Sequence, residues 1–373
     1  MTDSLNQLLK ATSRSFYLTL RVLPARVRPQ IGLAYLLART TDTIADTEIL
    51  PVAQRLDALQ KLRERILGQN SAPLNFGALA EKQNLSAEKL LLEKTEEGLA
   101  LLQTLSPADL KLVREVLVTI TSGQELDLRR FAGSAAAPAA SVSASLTESV
   151  QNVEREARSA TPGAGALPNQ IIALETAAEL DDYTYRVAGC VGEFWTKICR
   201  AHLFPNVKLD EQQFIVDGIR FGKGLQLVNI LRDLPADLKN GRCYLPTQRL
   251  DEAKLLPKTL LSPANAQKFL PLFHDYLNKA ESHLAAGWRY TNTLPFGQFR
   301  LRLACAWPIL IGVKTIGKLR GAGVIELSQR VKVSRGEVRA ILFRSLVASP
   351  FPPAWRGLYA PAGKAVDSRA ELA

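Results

Sequence analysis

Two pairs of aspartates, each spaced four residues apart, carry the most suggestive chemistry in this 373-residue sequence: Asp42 and Asp46 in YLLARTTDTIADT, and Asp233 and Asp237 in LVNILRDLPADL. On a helix this spacing projects both carboxylates from one face, a turn apart. A single such pair is most often a solvated face with ordinary i, i+4 partners. Two pairs set among Ile44, Ala45, Ile230, Leu231 and Leu234 demand more, because a carboxylate in apolar surroundings is costly unless a metal or an arginine compensates it. Mg²⁺ takes oxygen ligands, keeps several waters, and binds through one or two carboxylates plus substrate phosphates. Facing carboxylate pairs with arginines nearby therefore describe a metal-bridged diphosphate site. Arg14, Arg39, Arg232 and Arg242 are the candidate phosphate grips, since a planar guanidinium holds phosphate oxygens through two hydrogen bonds. Asn229 precedes Asp233 by one turn, and Gln226 precedes Asn229 by another on the same side.

The elements that must position these groups read as helices. Apolar residues recur at three- and four-residue spacings, as in Leu33, Leu36, Leu37 and Leu110, Val113, Leu117, while strand-like alternation is scarce. An all-α core follows, expected as a single domain over residues 1–348. An Ala/Ser-rich, low-complexity stretch at 133–169 is expected to loop out as a disordered insertion. Proline-containing loops near Pro246, Pro257 and Pro295 punctuate the second half, the tail at 349–373 reads as loose, and Pro235 predicts a kink just before Asp237. The four cysteines lack any C-x-x-C spacing and read as reduced packing residues. Three histidines leave little material for His-based metal or triad chemistry.

Net charge is +11, and the stretch from Gly297 to Arg344 holds ten basic residues against Glu326 and Glu337, so most of the excess is local. An anionic cofactor, a phosphorylated substrate or a membrane surface would each require that sign. No nucleic-acid recognition motif accompanies the charge, so nucleic acid is not an expected partner. The longest apolar run, Leu303 to Val313, is too short to span a bilayer, and the first residues lack the order of a secretory signal. A cytoplasmic protein with peripheral membrane contact is expected.

The blocks TSRSFYL (Thr12–Leu18), YLLARTTDTIADT (Tyr35–Thr47), YTYRVAGCVG (Tyr183–Gly192), GLQLVNILRDLPADLKNGRCYLP (Gly224–Pro246) and RLACAWP (Arg302–Pro308) resemble the squalene/phytoene synthase family in order and approximate spacing, from about Ser4 to Leu319. Within the family, TSRSF, DTIAD and the C-A-x-P block are more similar to squalene synthases than to phytoene synthases. The resemblance implies an all-α isoprenoid-synthase fold around a central cavity. It implies head-to-head condensation of two farnesyl diphosphates through presqualene diphosphate, with Mg²⁺ and then NADPH-dependent reduction to squalene. By carry-over, Asp42, Asp46, Asp233 and Asp237 hold Mg²⁺, and Arg39, Arg232, Tyr183 and Tyr185 serve the chemistry. Ser13, Arg14, Ser15, Phe16, Tyr35, Val187, Gly189, Gln226, Asn229 and Arg242 contact substrate. Gly189 and Gly192 permit close helix packing. Ala45 and Ala236 stand where many relatives carry a further acid, and Arg186 stands where animal squalene synthases have a tyrosine. The alternative product set is presqualene diphosphate, dehydrosqualene or phytoene, made without reduction. A non-enzymatic assembly role fits poorly with two intact acid pairs. NADPH finds no G-x-G-x-x-G here, so Lys314, Lys318 and Arg320 are the expected grips for its phosphates or for lipid. A monomer is expected.

Overall fold

The computed structural model describes residues 3–47, 50–83, 85–132, 170–328 and 331–360, with the side chains of Arg14, Ser15 and Phe16 outside that description. The expected insertion at 133–169 also lies outside the described residues, as do the last thirteen.

The described chain is helical almost throughout. In order come α1 (Asp3–Val22), α2 (Arg28–Asp46), α3 (Val52–Leu67), α4 (Gly77–Glu81), α5 (Ser86–Glu93), α6 (Thr95–Leu102) and α7 (Pro107–Arg130). From residue 170 on follow α8 (Ala177–Thr184), a π-helical turn at Tyr185–Gly189, α9 (Cys190–Leu203), α10 (Glu211–Lys239) and α11 (Thr247–Glu252). The last third holds α12 (Ala266–Thr293), α13 (Phe299–Arg320), α14 (Val324–Leu327), α15 (Arg335–Ala348) and α16 (Pro352–Arg356). Two short strands, β1 (Ile172–Ala173) and β2 (Arg242–Cys243), pair in parallel. The all-α expectation holds, and no helix among the described residues is long and apolar enough to cross a membrane.

Local sequence explains where the site helices begin. Ser106 caps α7 by accepting from the Asp109 amide at 3.2 Å, with Pro107 at the first helical position, and Asp210 caps α10 by accepting from the Gln213 amide at 2.9 Å. Pro235 does not end α10, which runs unbroken from Glu211 to Lys239. The turn after it depends on Gly241, whose φ of 73° is accessible to glycine without strain. That reversal lets β2 lie beside β1 and returns Arg242 toward the end of α10.

The helices cross at close range where glycine permits it. A Cβ on Gly192 would lie 2.0 Å from the Gly218 carbonyl oxygen, and one on Gly222 would lie 2.1 Å from that of Ala188. The π turn and α9 are thus pressed backbone to backbone on α10. The four cysteines are free and buried, as packing residues should be.

Two expectations need correction. The segment after Ser349 is not loose up to residue 360: Trp355 is 1% exposed, stacks on Trp288 at 5.5 Å and donates its indole N–H to Asn292 Oδ1 at 3.1 Å. The proline-rich composition suggested a loose tail, but one buried indole anchors it. Lys318 and Arg320 do not offer bare charges either. Lys318 donates to Glu337 at 2.7 Å and Arg320 to Glu281 at 2.8 Å, while Lys314 lies 3.5 Å from Glu337.

Candidate active site

The first acid pair lies in the last two turns of α2. Asp42 is 1% exposed; Gln124 Nε2 donates to its Oδ1 at 2.5 Å, and Arg39 NH1 lies 3.7 Å from its Oδ2. Arg39 also reaches Glu88 at 3.1 Å. Burial works against charge on this guanidinium, yet Asp42, Tyr35, Asp46 and Glu88 together hold it more firmly protonated than usual. Asp46, half-buried, sits one turn on, and Arg55 closes that helix end by donating to the Ala45 carbonyl at 2.9 Å. Tyr35 donates to the Thr12 carbonyl at 3.3 Å, tying α2 to α1. Ser13 is buried and gives its hydroxyl to the Leu9 carbonyl within its own helix.

The second pair lies at the end of α10. Arg232 is 4% exposed and lies beside Asp233, with Nε donating to Oδ1 at 3.0 Å and NH2 close to the other carboxylate oxygen. Asn229 donates to Gln226 at 3.5 Å on the same helical side. Asp237 faces Arg242 at 3.9 Å across the Gly241 turn. Arg242 is 3% exposed, and its Nε and NH1 are buried without a hydrogen-bond partner among the described residues.

Helix α7 joins the two faces. Gln124 reaches Asp42, while Asp127, one turn on, accepts from the Tyr244 hydroxyl at 2.7 Å. Burial pushes the Asp127 carboxyl up to about 6, against the pull of Tyr244, Arg242, Arg130 and Tyr183. Tyr183 stacks on Tyr244 at 4.7 Å, and burial, followed by Asp127 and Tyr244, keeps its phenol protonated well beyond the usual range. Gln124, Asp127 and Tyr244 escaped the sequence reading; two polar residues at i, i+3 within the buried stripe of α7 were the signal available.

The two candidate tyrosines, at i and i+2 of the helix that runs into the π turn, face different ways. Tyr183 points into the Asp127–Arg242 cluster, whereas Tyr185 donates to Glu193 at 2.8 Å with Lys223 over its ring at 5.7 Å. Such an inserted residue shifts the side chains that follow it around the helix, and π turns often occur at functional sites. Arg186 braces the turn against α7 by donating to Ser122 at 2.9 Å. Val187 and Gly189 are buried in it.

Further along the same helices an apolar pocket is walled by Ala188, Val191, Trp195, Phe221, Leu225 and Cys305 among others. A pocket of this lining favours hydrocarbon over water. The π turn gives Ala188 to that wall, and the helix running into it carries Tyr183 to the polar cluster.

The squalene/phytoene synthase family model matches residues 9–337. The chain belongs to this family. Squalene synthase from Saccharomyces cerevisiae is 23% identical over 91% of this chain and 66% of its own length. Phytoene synthase from Thermus thermophilus is 28% identical over 49% of this chain and 58% of its own. A bifunctional lycopene cyclase/phytoene synthase from Gibberella fujikuroi is 36% identical over 31% of this chain and 19% of its own. The chain thus spans less than two thirds of the length of the curated relatives it matches first. Among solved structures, TcSQS in a ligand complex superposes with a TM-score of 0.70 at 18% identity, covering 96% of this chain and 90% of that one. A dehydrosqualene synthase in complex with ligand gives 0.57 at 18% identity, over 92% and 95%. These likenesses establish the all-α isoprenoid-synthase fold.

Proposed function

We propose that this protein condenses two farnesyl diphosphates head to head through presqualene diphosphate, and that with NADPH the product is squalene. The observation that carries the reading is Arg242: a buried guanidinium facing Asp237, with two nitrogens that lack a hydrogen-bond partner among the described residues. A buried donor without an acceptor is costly, and a diphosphate oxygen would complete it.

The donor set suits Mg²⁺. The four aspartates and the buried Gln124 Oε1 offer only hard oxygens. That pattern matches an ion held by one or two carboxylates and completed by substrate phosphate oxygens. When bound, Mg²⁺ would neutralise the leaving diphosphate and so ease ionisation of the allylic carbon–oxygen bond. Arg39, Arg232 and Arg242 orient the diphosphates. Tyr183 keeps its proton at neutral pH and donates from Oη toward developing negative charge, while its ring and that of Tyr244 offer π faces to a carbocation. The cavity walls exclude water from the cation. Burying a fifteen-carbon chain at ~0.8 kcal/mol per CH₂ offers on the order of ten kcal/mol of gross binding.

NADPH would supply the hydride for squalene. Lys318 and Arg320 spend their charges on Glu337 and Glu281, which favours as second reading a synthase that releases presqualene diphosphate, dehydrosqualene or phytoene. Purified protein, farnesyl diphosphate and Mg²⁺, with and without NADPH, followed by mass analysis of extracted and phosphatase-treated products, separates the two. Squalene formed only with NADPH supports the first; the same product under both conditions supports the second. No turnover and no Mg²⁺-dependent diphosphate binding would overturn both.

A further inference from the structure

Six of the eleven large hydrophobic side chains exposed among the described residues fall between residues 296 and 351: Phe296, Phe299, Phe343, Leu346, Val347 and Phe351. Phe343 is 68% exposed and Phe351 60%. On α15 they follow helical spacing, so that Arg335, Arg339, Phe343, Leu346 and Val347 form one outward stripe. The opposite side is committed to the fold: Val338, Ser345 and Ala348 are buried, and Trp307 of α13 donates to Ser345 at 2.8 Å. The contacts Trp307–Ser345 and Lys318–Glu337 make α13 and α15 antiparallel, bringing the end of α15 toward the start of α13. Arg302 continues the connection, its guanidinium 4.8 Å from the Trp355 ring and 5.6 Å from the Phe296 ring. The aromatic residues of the α12–α13 turn and of the chain after α15 thus border the same part of the molecule.

Charge distinguishes this surface from a protein-binding face of mixed sign. From Val338 to Leu358 the sequence has no acidic residue and carries Arg339, Arg344 and Arg356, all exposed; Phe296 to Arg320 has none either and carries Arg300, Arg302, Lys314, Lys318 and Arg320. The one acid of α15, Glu337, is consumed by its capping box with Ser334 and by Lys318. Exposed phenylalanines and aliphatics beside arginines, with no acid among them, match the interior boundary and headgroups of an anionic bilayer. We propose that α15 and the segments flanking it form a membrane-docking face that seats the protein on anionic lipid, with Phe343, Leu346, Val347 and Phe351 entering the interface and Arg339 and Arg344 meeting headgroup phosphates. The same α13 that packs on α15 supplies Ala304 and Cys305 to the apolar cavity, so docking holds the cavity close to the bilayer. This inference stands on surface composition and is independent of the reaction proposed above.

The test is flotation of the full chain with phosphatidylcholine vesicles, with and without phosphatidylglycerol, in the absence of substrate. Binding to the anionic vesicles is expected to be about tenfold the stronger and to weaken as salt rises. The double substitution Phe343→Ser/Phe351→Ser is expected to cost at least about tenfold in binding to anionic vesicles. Arg339→Glu/Arg344→Glu is expected to erase the anionic preference, while Leu256→Ser, an exposed site elsewhere, changes nothing. Circular dichroism melting checks that each variant folds, and the arginine pair provides a second route if the phenylalanine pair does not. Wild-type protein that ignores anionic vesicles, or variants that bind as well as wild type, would overturn the proposal. So would a dimer in solution that the phenylalanine substitutions dissociate while vesicles go unbound, since the face would then belong to a second copy of the chain.

Discussion

The two aspartate faces share one spacing and differ in almost everything else. Asp42 is sealed from solvent and held by an amide from α7 and a guanidinium from its own helix. Asp233 retains 20% side-chain exposure and is bracketed by the adjacent Arg232. The first carboxylate is fixed before any ligand arrives, so little ordering remains to be done on binding. The second must exchange its arginine partner, at least in part, for whatever it binds. A motif thus specifies donor type and direction, while neighbours from other helices decide whether a carboxylate is preorganised or masked.

The largest effect should come from the sealed face. Asp42→Asn is expected to lower kcat/KM by ~10³ or more with the fold intact by circular dichroism, and Asp233→Asn by nearer ~10². A larger loss at Asp233 would break the asymmetry. Next, Gln124→Leu strips the amide from Asp42. Losing a supporting hydrogen bond of this kind is expected to cost ~10–100-fold in Mg²⁺ affinity or activity. Leaving a buried carboxylate short of a donor should also cost ~1–3 kcal/mol of stability, read by urea denaturation. If Gln124→Leu acts on stability alone, the preorganisation argument fails.

Asp127 sharpens the comparison through pH. Its folded pKa of about 6 lies above the ordinary carboxylate value. The stability this group contributes is therefore complete below about pH 4 and is lost as pH rises through about 6. Asp127→Asn should consequently gain Tm relative to wild type as pH goes from 4 to ~7, and any activity limb near pH 6 should vanish. A Tm difference that stays flat across that range would remove Asp127 as a titrating group. The smallest effect is expected far from both faces: Glu337→Gln weakens the α15 cap and its pairing with Lys318, costing ~1 kcal/mol of stability with unchanged turnover.

Much of the site was legible because its signals are local. The i, i+4 aspartates, the arginines beside them and Asn229 one turn from Asp233 all follow from helical period within one element. What was not legible joins distant parts of the chain. Gln124 meets Asp42 across 82 residues and Tyr244 meets Asp127 across 117, and no periodicity encodes such a pairing. The basic excess at Lys318 and Arg320 read as an open surface for the same reason, since Glu337 and Glu281 reach them only after folding. The tail to residue 360 was misjudged because composition averages over a segment, whereas one tryptophan in a stacked, hydrogen-bonded seat suffices to order it.

By itself the sequence determined the helical class, the family resemblance and the residue types that can meet a metal and a diphosphate, because helix period and side-chain chemistry are properties of short stretches. Only the tertiary structure decided which tyrosine joins the acid cluster, which aspartate is sealed, which arginine nitrogens lack partners and which phenylalanines face solvent. Those depend on how helices far apart in sequence cross, and burial, not residue type, sets the strength of every charge and hydrogen bond they bring together.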